Sequence, residues 1–264
     1  MKQIEVVAVT HRGRVRDHNE DTVSVAGFQS GVVEGQPVRF VIDPVRPVTC
    51  LVADGLGGHA EGGRASRLAA ATIADAAPSF HDQAAVVAAV VRANESVYAE
   101  MALDRTWSGM GSTVVVLVLT GGTWICANVG DSRCFLLRDD SLVQLSEDDS
   151  VAPAPGEATV ATVVTQTLGG RPDATPITPH VIEQEVRPGD QFLLCSDGLT
   201  DELPAEAIEA ELVKAADPRT AVEELLKATL VAGAHDNVSI VLVAVPEDES
   251  DEHAGEPEEG TVHD

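Results

Sequence analysis

Residues 114–138 read VVVLVLTGGTWICANVGDSRCFLLR. Three apolar runs, 112–119, 123–129 and 133–138, are separated only by Gly121-Gly122 and Gly130-Asp131. Apolar runs broken by short glycine turns predict an antiparallel meander. These runs are apolar on nearly every residue, so both faces of each strand are expected to be covered. Outward from this stretch, strands are expected at 4–10, 22–27, 48–53, 181–187, 191–196 and 237–245, with 181–187 and 191–196 paired to each other. Helices are expected at 63–77, which is Ala-rich, and at 82–103, where Val86, Val90, Val97 and Met101 recur at helical spacing. Two more are expected at 204–216 and 218–232, the last opening with Asp217 as cap and Pro218 in the first turn. One helix pair precedes the middle strands and one precedes the last strand. This order fits an α+β fold, a four-layer α-β-β-α sandwich of two antiparallel sheets flanked by helix pairs. Residues 28–47 read as a long hairpin or insertion, and 146–180 as a mobile surface segment rich in Pro, Thr and acids.

The chain has 264 residues and a formal net charge of −26. Nine acids and no Lys or Arg fall between Glu247 and Asp264, leaving −17 for the rest. So acidic a surface repels nucleic-acid backbone and anionic membranes, and no basic patch overrides it. Neither nucleic acid nor a membrane is expected as a partner, and a monomer is. The four cysteines, Cys50, Cys126, Cys134 and Cys195, form no C-x-x-C pair and read as reduced core residues. The first residues, MKQIEVVAVTH, lack a signal-peptide pattern, and no apolar run approaches the length of a membrane span. A cytoplasmic location is expected. The sequence from Pro246 is acidic and free of aromatics, which reads as a disordered tail over 246–264.

Packing does not account for three aspartates set directly against apolar strands. Asp54 ends LVAD, Asp197 ends FLLCSD, and Asp236 begins DNVSIVLV. Antiparallel neighbours bring the end of one strand beside the start of the next, so the three carboxylates are expected to gather at one sheet edge. Clustered carboxylates repel unless a cation neutralises them. All-oxygen donors select Mg²⁺ or Mn²⁺ over zinc. Taken singly, each Asp-Gly also suits a plain turn. Glu20-Asp21, before a short strand, adds either a fourth acidic site or a solvated loop.

Six stretches then point to a family: RDHNED at 16–21, VADGLGGH at 52–59, GMGST at 109–113, NVGDSR at 128–133, LLCSDGLTD at 193–201 and HDNVSIVLV at 235–243. In these motifs and their order the chain resembles the bacterial metal-dependent protein phosphatases of type 2C. The resemblance implies a phosphatase domain over residues 1–245. It implies hydrolysis of phosphoserine and phosphothreonine by a water bridging two Mn²⁺ or Mg²⁺ ions, with a third ion in some members. Asp54 is then expected to bridge both metals and Gly55 to lend its carbonyl to one of them. Asp197 and Asp236 are expected to hold the other metal, and Glu20 to act on the first through a bound water. Arg16 is expected to grip the phosphate with its guanidinium fork. Asp131 is expected to join Asp197 at the third ion. The implied partners are phosphorylated substrate proteins of a bacterial-type serine/threonine kinase.

Plainer roles stand beside these. Arg16 also suits a pair with Asp17 or Glu20, and Asp131 suits a tight turn. Gly57-Gly58 suits packing at a helix start, Ser112 and Thr113 suit a strand start, and Asn237 suits orienting Asp236. Leu56 occupies the position where some members carry a leaving-group acid, and His59 is not assigned that role. The stretch 150–166 is short for the family's flap, which leaves Asp149 a weak candidate for a metal. Three other readings share the sequence: a catalytically dead relative, a regulator of a dedicated switch protein such as an anti-sigma-factor antagonist, and an acidic interaction protein.

Overall fold

The computed structural model describes residues 3–29, 34–56, 60–151 and 163–247. Strands β1 (Ile4–His11), β2 (Thr22–Val25), β3 (Phe28–Gln29), β4 (Val38–Ile42), β5 (Val48–Ala53) and β6 (Gly55–Leu56) precede helices α1 (Ala60–Ala76) and α2 (Gln83–Met101). Next come β7 (Gly111–Ser112), β8 (Val114–Thr120), β9 (Thr123–Val129), β10 (Arg133–Arg138) and β11 (Ser141–Gln144). The short β12 (Ser150–Val151), β13 (Val163–Val164) and β14 (Leu168–Gly169) lead to β15 (His180–Glu185) and β16 (Gln191–Cys195). Helices α3 (Asp197–Thr200), α4 (Ala205–Lys214) and α5 (Pro218–Ala232) come before the last strand, β17 (Val238–Ala244).

Two six-stranded antiparallel sheets carry the fold, ordered β11-β10-β16-β17-β1-β4 and β15-β9-β8-β5-β2-β3. The period of two in side-chain direction explains why the strands are apolar throughout. On β8, Val114, Val116 and Val118 face α1 and α2, while Val115, Leu117 and Leu119 face the other sheet. On β17, Ile240 and Leu242 pack under α4 and α5, while Val241 and Val243 point inward. Three cores result, one between the sheets and one beneath each helix layer, as the α-β-β-α expectation requires. Trp124 of β9 and Phe192 of β16 meet edge-on between the sheets with ring centroids 5.7 Å apart. The caps follow the sequence: Asp82 accepts from Ala85 N at 2.8 Å, and Asp217 accepts from Thr220 N at 2.9 Å.

Three expectations need correction. The runs in 112–138 are not one meander: β8 and β9 pair as a hairpin, but β10 crosses to the other sheet and pairs with β16 and β11. The Gly130-Asp131 turn makes that crossing. Strands β15 and β16 do not pair with each other, because β15 edges the second sheet on β9 and β16 lies inside the first. The 28–47 stretch, read as a long hairpin or insertion, gives each sheet an edge strand: β3 pairs antiparallel with β2, and β4 with β1. In the expected surface segment, Leu168 is fully buried and β14 pairs with β7. Residues 152–162, most of the proposed acidic tail (248–264), and Gly57, Gly58 and His59 lie outside the described residues.

Phe192→Ala should lower stability by about 3–5 kcal/mol, because it removes a ring that spans the inter-sheet core. A urea titration should show a lower midpoint with the slope unchanged.

A cluster of half-buried carboxylates as candidate active site

Strand register brings the acids to one end of the sandwich. Thr22 pairs with Ala53, which sets Asp21 beside Asp54. Cys195 pairs with Ile240, which sets Asp197 near Asp236. His11 pairs with Val238, so the loop from Arg12 to Glu20 leaves the same end. The two pairs belong to different sheets, and Asp21 joins them. Its Oδ2 accepts from Ser239 Oγ at 2.7 Å and Ser196 Oγ at 2.9 Å.

Close backbone contacts fix the rest. Asp197 opens α3, and its neighbour Gly198 lies so near β17 that a Cβ would come 2.0 Å from the Asn237 carbonyl oxygen. At Gly55 a Cβ would come 2.4 Å from the Gly62 backbone and 2.6 Å from the Glu20 carbonyl oxygen. These glycines let Asp197 approach Asp236, and Gly55 approach the Glu20 loop. Asn237 clamps that loop. Its Oδ1 accepts from Glu20 N at 2.8 Å, and its Nδ2 donates to the carbonyls of Arg12 and His18, both at 2.9 Å. Ser66 of α1 adds a bond to the Glu20 carbonyl at 2.6 Å. Thr113 holds Asp54 on both sides: its N donates to the Asp54 carbonyl at 2.8 Å, and its Oγ1 accepts from Asp54 N at 3.2 Å. Ser132, next to Asp131, bonds that same Oγ1 at 2.7 Å.

Arg16, exposed at the rim, meets Asp236 Oδ2 at 2.5 Å. Its partner is therefore neither Asp17 nor Glu20. Burial raises the pKa of the acids, and their mutual repulsion raises it further. Burial pushes Asp197 up to about 7, helped by Asp131, Asp236, Asp201 and Asp21. Asp21 is pushed up to about 6 by burial, against the two serine bonds and with Asp236 adding to the rise. Asp54 is raised well above the usual range by burial and then by Asp21, Asp197 and Asp236. Burial also raises Glu20, against the opposing pull of Arg16, and raises Asp131.

Oε1 of Glu20, Oδ1 of Asp21 and Oδ1 of Asp197 are buried without a hydrogen-bond partner among the described residues. Leaving such oxygens unmatched is costly. Hard divalent cations are the partner this all-oxygen set fits. No group of three His, Cys, Asp or Glu side chains among the described residues is arranged to hold a metal as it stands.

Arg16, Glu20, Asp54, Gly55, Asp131, Asp197 and Asp236 thus converge, each influencing at least one other. Asp149 does not join them. It accepts from Gly130 N at 3.0 Å and Gln166 Nε2 at 2.9 Å and contacts His180 Nε2 at 3.0 Å, so it fastens the 163–180 segment. Asp21 is the residue sequence reasoning undervalued: it is buried, not part of a solvated loop. The signal lay in Ser196 and Ser239, hydroxyls inside otherwise apolar strands, which must find a partner when buried.

A raised folded-state pKa means that the ionised form is disfavoured by folding. The contribution of Asp197 is fully present below the ordinary carboxylate pKa and is lost as pH rises through about 7. In EDTA, Asp197→Asn should therefore be more stable than wild type at pH 8, on the order of 1–3 kcal/mol. The gap should close toward pH 4, as read by thermal unfolding at each pH. Asn237→Ala should cost about 2–3 kcal/mol for its lost bonds and speed tryptic cleavage within 12–16.

The protein phosphatase 2C family model matches residues 37–232. The chain is 30% identical over 92% of its length to the serine/threonine protein phosphatase PstP of Mycobacterium tuberculosis, but spans only 45% of that protein. It is 31% identical over 89% of its length to the serine/threonine phosphatase stp of Listeria innocua, spanning 93% of it. The crystal structure of the PstP catalytic domain with two manganese ions superposes with a TM-score of 0.74 at 30% identity, covering 93% of this chain and 99% of that one.

Proposed function

Because this chain belongs to the protein phosphatase 2C family, we propose that it is a metal-dependent serine/threonine phosphatase acting on phosphorylated proteins. The observation that carries this reading is the convergence of buried, unpartnered carboxylate oxygens beneath an exposed arginine.

In this reading Asp54, the Gly55 carbonyl and Glu20 would hold one cation, and Asp197 and Asp236, with Asp54, would hold a second. Asp131 and Asp197 offer a third position. Bound divalent ions lower the pKa of water held between them and neutralise charge on phosphoryl oxygens. The chain's own residues supply placement. Arg16, paired with Asp236 here, has the guanidinium fork to grip a phosphate bidentately and would be freed for it were that carboxylate engaged by a cation. Asp21, fixed by Ser196 and Ser239, keeps negative charge beneath the cluster. Thr113 and Ser132 hold Asp54 and the Asp131 turn in step. Apolar Leu56 offers no proton to the leaving oxygen.

The relatives are bacterial, which supports a signalling role opposing a bacterial serine/threonine kinase. PstP carries manganese, and magnesium meets the same donor chemistry. Four free, buried cysteines suit the reducing cytoplasm. No described helix is long and apolar enough to cross a membrane. All the site residues come from one copy of the chain, so a monomer suffices. The catalytic unit is read as residues 1–245, with 246–264 outside it.

Wild type should hydrolyse p-nitrophenyl phosphate and a phosphothreonine peptide with Mn²⁺ or Mg²⁺, and lose this in EDTA. Asp197→Ala should reduce kcat by roughly a thousandfold or more, since it removes a group central to charge compensation. Arg16→Lys should lower kcat/KM by roughly ten- to a hundredfold through loss of the bidentate fork. A well-folded wild type that stays inactive with each metal, and binds none by calorimetry, would sink the reading.

A further inference from the structure

Side chains leave one end of the inter-sheet layer unfilled. Between β1 and β4 on one side and β2 and β3 on the other lies a cavity of about 470 Å³. That volume falls in the range of small-molecule sites. Its middle is apolar, with Val23, Val25 and the rings of Phe28 and Phe40 in the wall. The two rings come from different sheets and stand 5.9 Å apart at 58°. The two rings touch each other, and the aromatic surface they turn to the cavity can take a further ring edge-on or offset.

Charges at the mouth do not cancel. Glu34 is compensated, because it accepts from Arg12 N at 2.7 Å and lies 3.7 Å from that guanidinium. Arg67, exposed on α1, also lines the mouth and has no hydrogen-bond or ion-pair partner among the described residues. Asp21, also in the lining, is an acid already bonded to Ser196 and Ser239 and gives an anion no counter-charge. An acidic ligand therefore has one orientation, with its anionic group outward on Arg67.

The inner wall is wired to the carboxylate cluster. Asn19 Nδ2 donates to Thr10 Oγ1 at 2.8 Å, Thr10 Oγ1 and Ser239 Oγ share a bond of 2.8 Å, and Ser239 Oγ donates to Asp21 Oδ2 at 2.7 Å. Thr10, Asn19 and Asp21 all line the cavity.

We propose that this cavity binds a small aromatic acid, with its ring against Phe28 and Phe40 and its anion on Arg67, and that occupancy adjusts the catalytic cluster through the Asn19–Thr10–Ser239–Asp21 chain. The binding half stands alone; the effect on turnover rests on the phosphatase reading.

The probe is anilinonaphthalene sulfonate, an aromatic anion, titrated by fluorescence into the full chain. Wild type should show saturable one-to-one binding. Arg67→Glu should weaken it by about tenfold through loss of the charge-assisted contact. Val38→Trp, which enters the cavity from an exposed edge position, should abolish it with little change in unfolding midpoint. With Mn²⁺, saturating dye should change p-nitrophenyl phosphate turnover at least roughly twofold in wild type but not in Val38→Trp, as a coupling of this kind requires. Absent binding, or binding indifferent to both substitutions, overturns the site. Binding without a change in turnover, in a protein with verified metal-dependent activity, overturns the coupling. A chain with no metal-dependent turnover at all counts against the phosphatase reading and leaves the binding result to be judged by itself.

Discussion

Negative charge crowded into a half-buried cleft is the constraint around which this structure is organised. Asp21, Asp54 and Asp197 are drawn together by strand register, and each is pushed toward its protonated form by burial and by its neighbours. An isolated domain gains nothing from such an arrangement, since every ionised member weakens the fold at neutral pH. The arrangement becomes intelligible once divalent cations complete it. Repulsion that destabilises the bare protein then becomes attraction for metal, and the same groups serve folding poorly and chemistry well.

The surrounding backbone is built to withstand that repulsion. Asn237 ties both ends of the arginine-bearing loop, Thr113 brackets Asp54, and Ser196 and Ser239 brace Asp21 from the opposite sheet. None of these residues needs to touch a substrate. They turn strand ends, which would otherwise fray, into fixed mounts. Gly198 and Gly55 contribute by omission, since a side chain at either would force the mounts apart.

Much of this was legible in the sequence. Strands apolar on both faces announced four layers, because only a sheet covered on both sides tolerates runs such as those of β8 and β17. Aspartates abutting such runs announced a site, and the motif order supplied the family. Pairing partners were not legible: hairpin logic predicted a meander through 138 and a β15–β16 pair, but a link as short as Gly130–Ser132 suits a crossing between stacked sheets as well as a hairpin. The burial of Asp21 was hidden too, because an acid in a polar loop looks solvated until the serines that hold it are placed opposite. The 28–47 stretch gave no periodic signal, and only the structure shows it supplying an edge strand to each sheet.

The position of β17 has a consequence for the order of assembly. This last strand lies between β1 and β16, near the middle of its sheet, and pairs with both. Strand β1 therefore lacks its principal neighbour until Val238–Ala244, some 230 residues further along the chain, is in place. Closing so long a loop is slow relative to local hairpins. The second sheet, by contrast, draws all its strands from Thr22–Glu185 and is complete in sequence well before. Asp236 lies just ahead of β17, so the acid cluster is complete only when β17 docks between β1 and β16. Closing of the sandwich and completion of the acid cluster are thus one event.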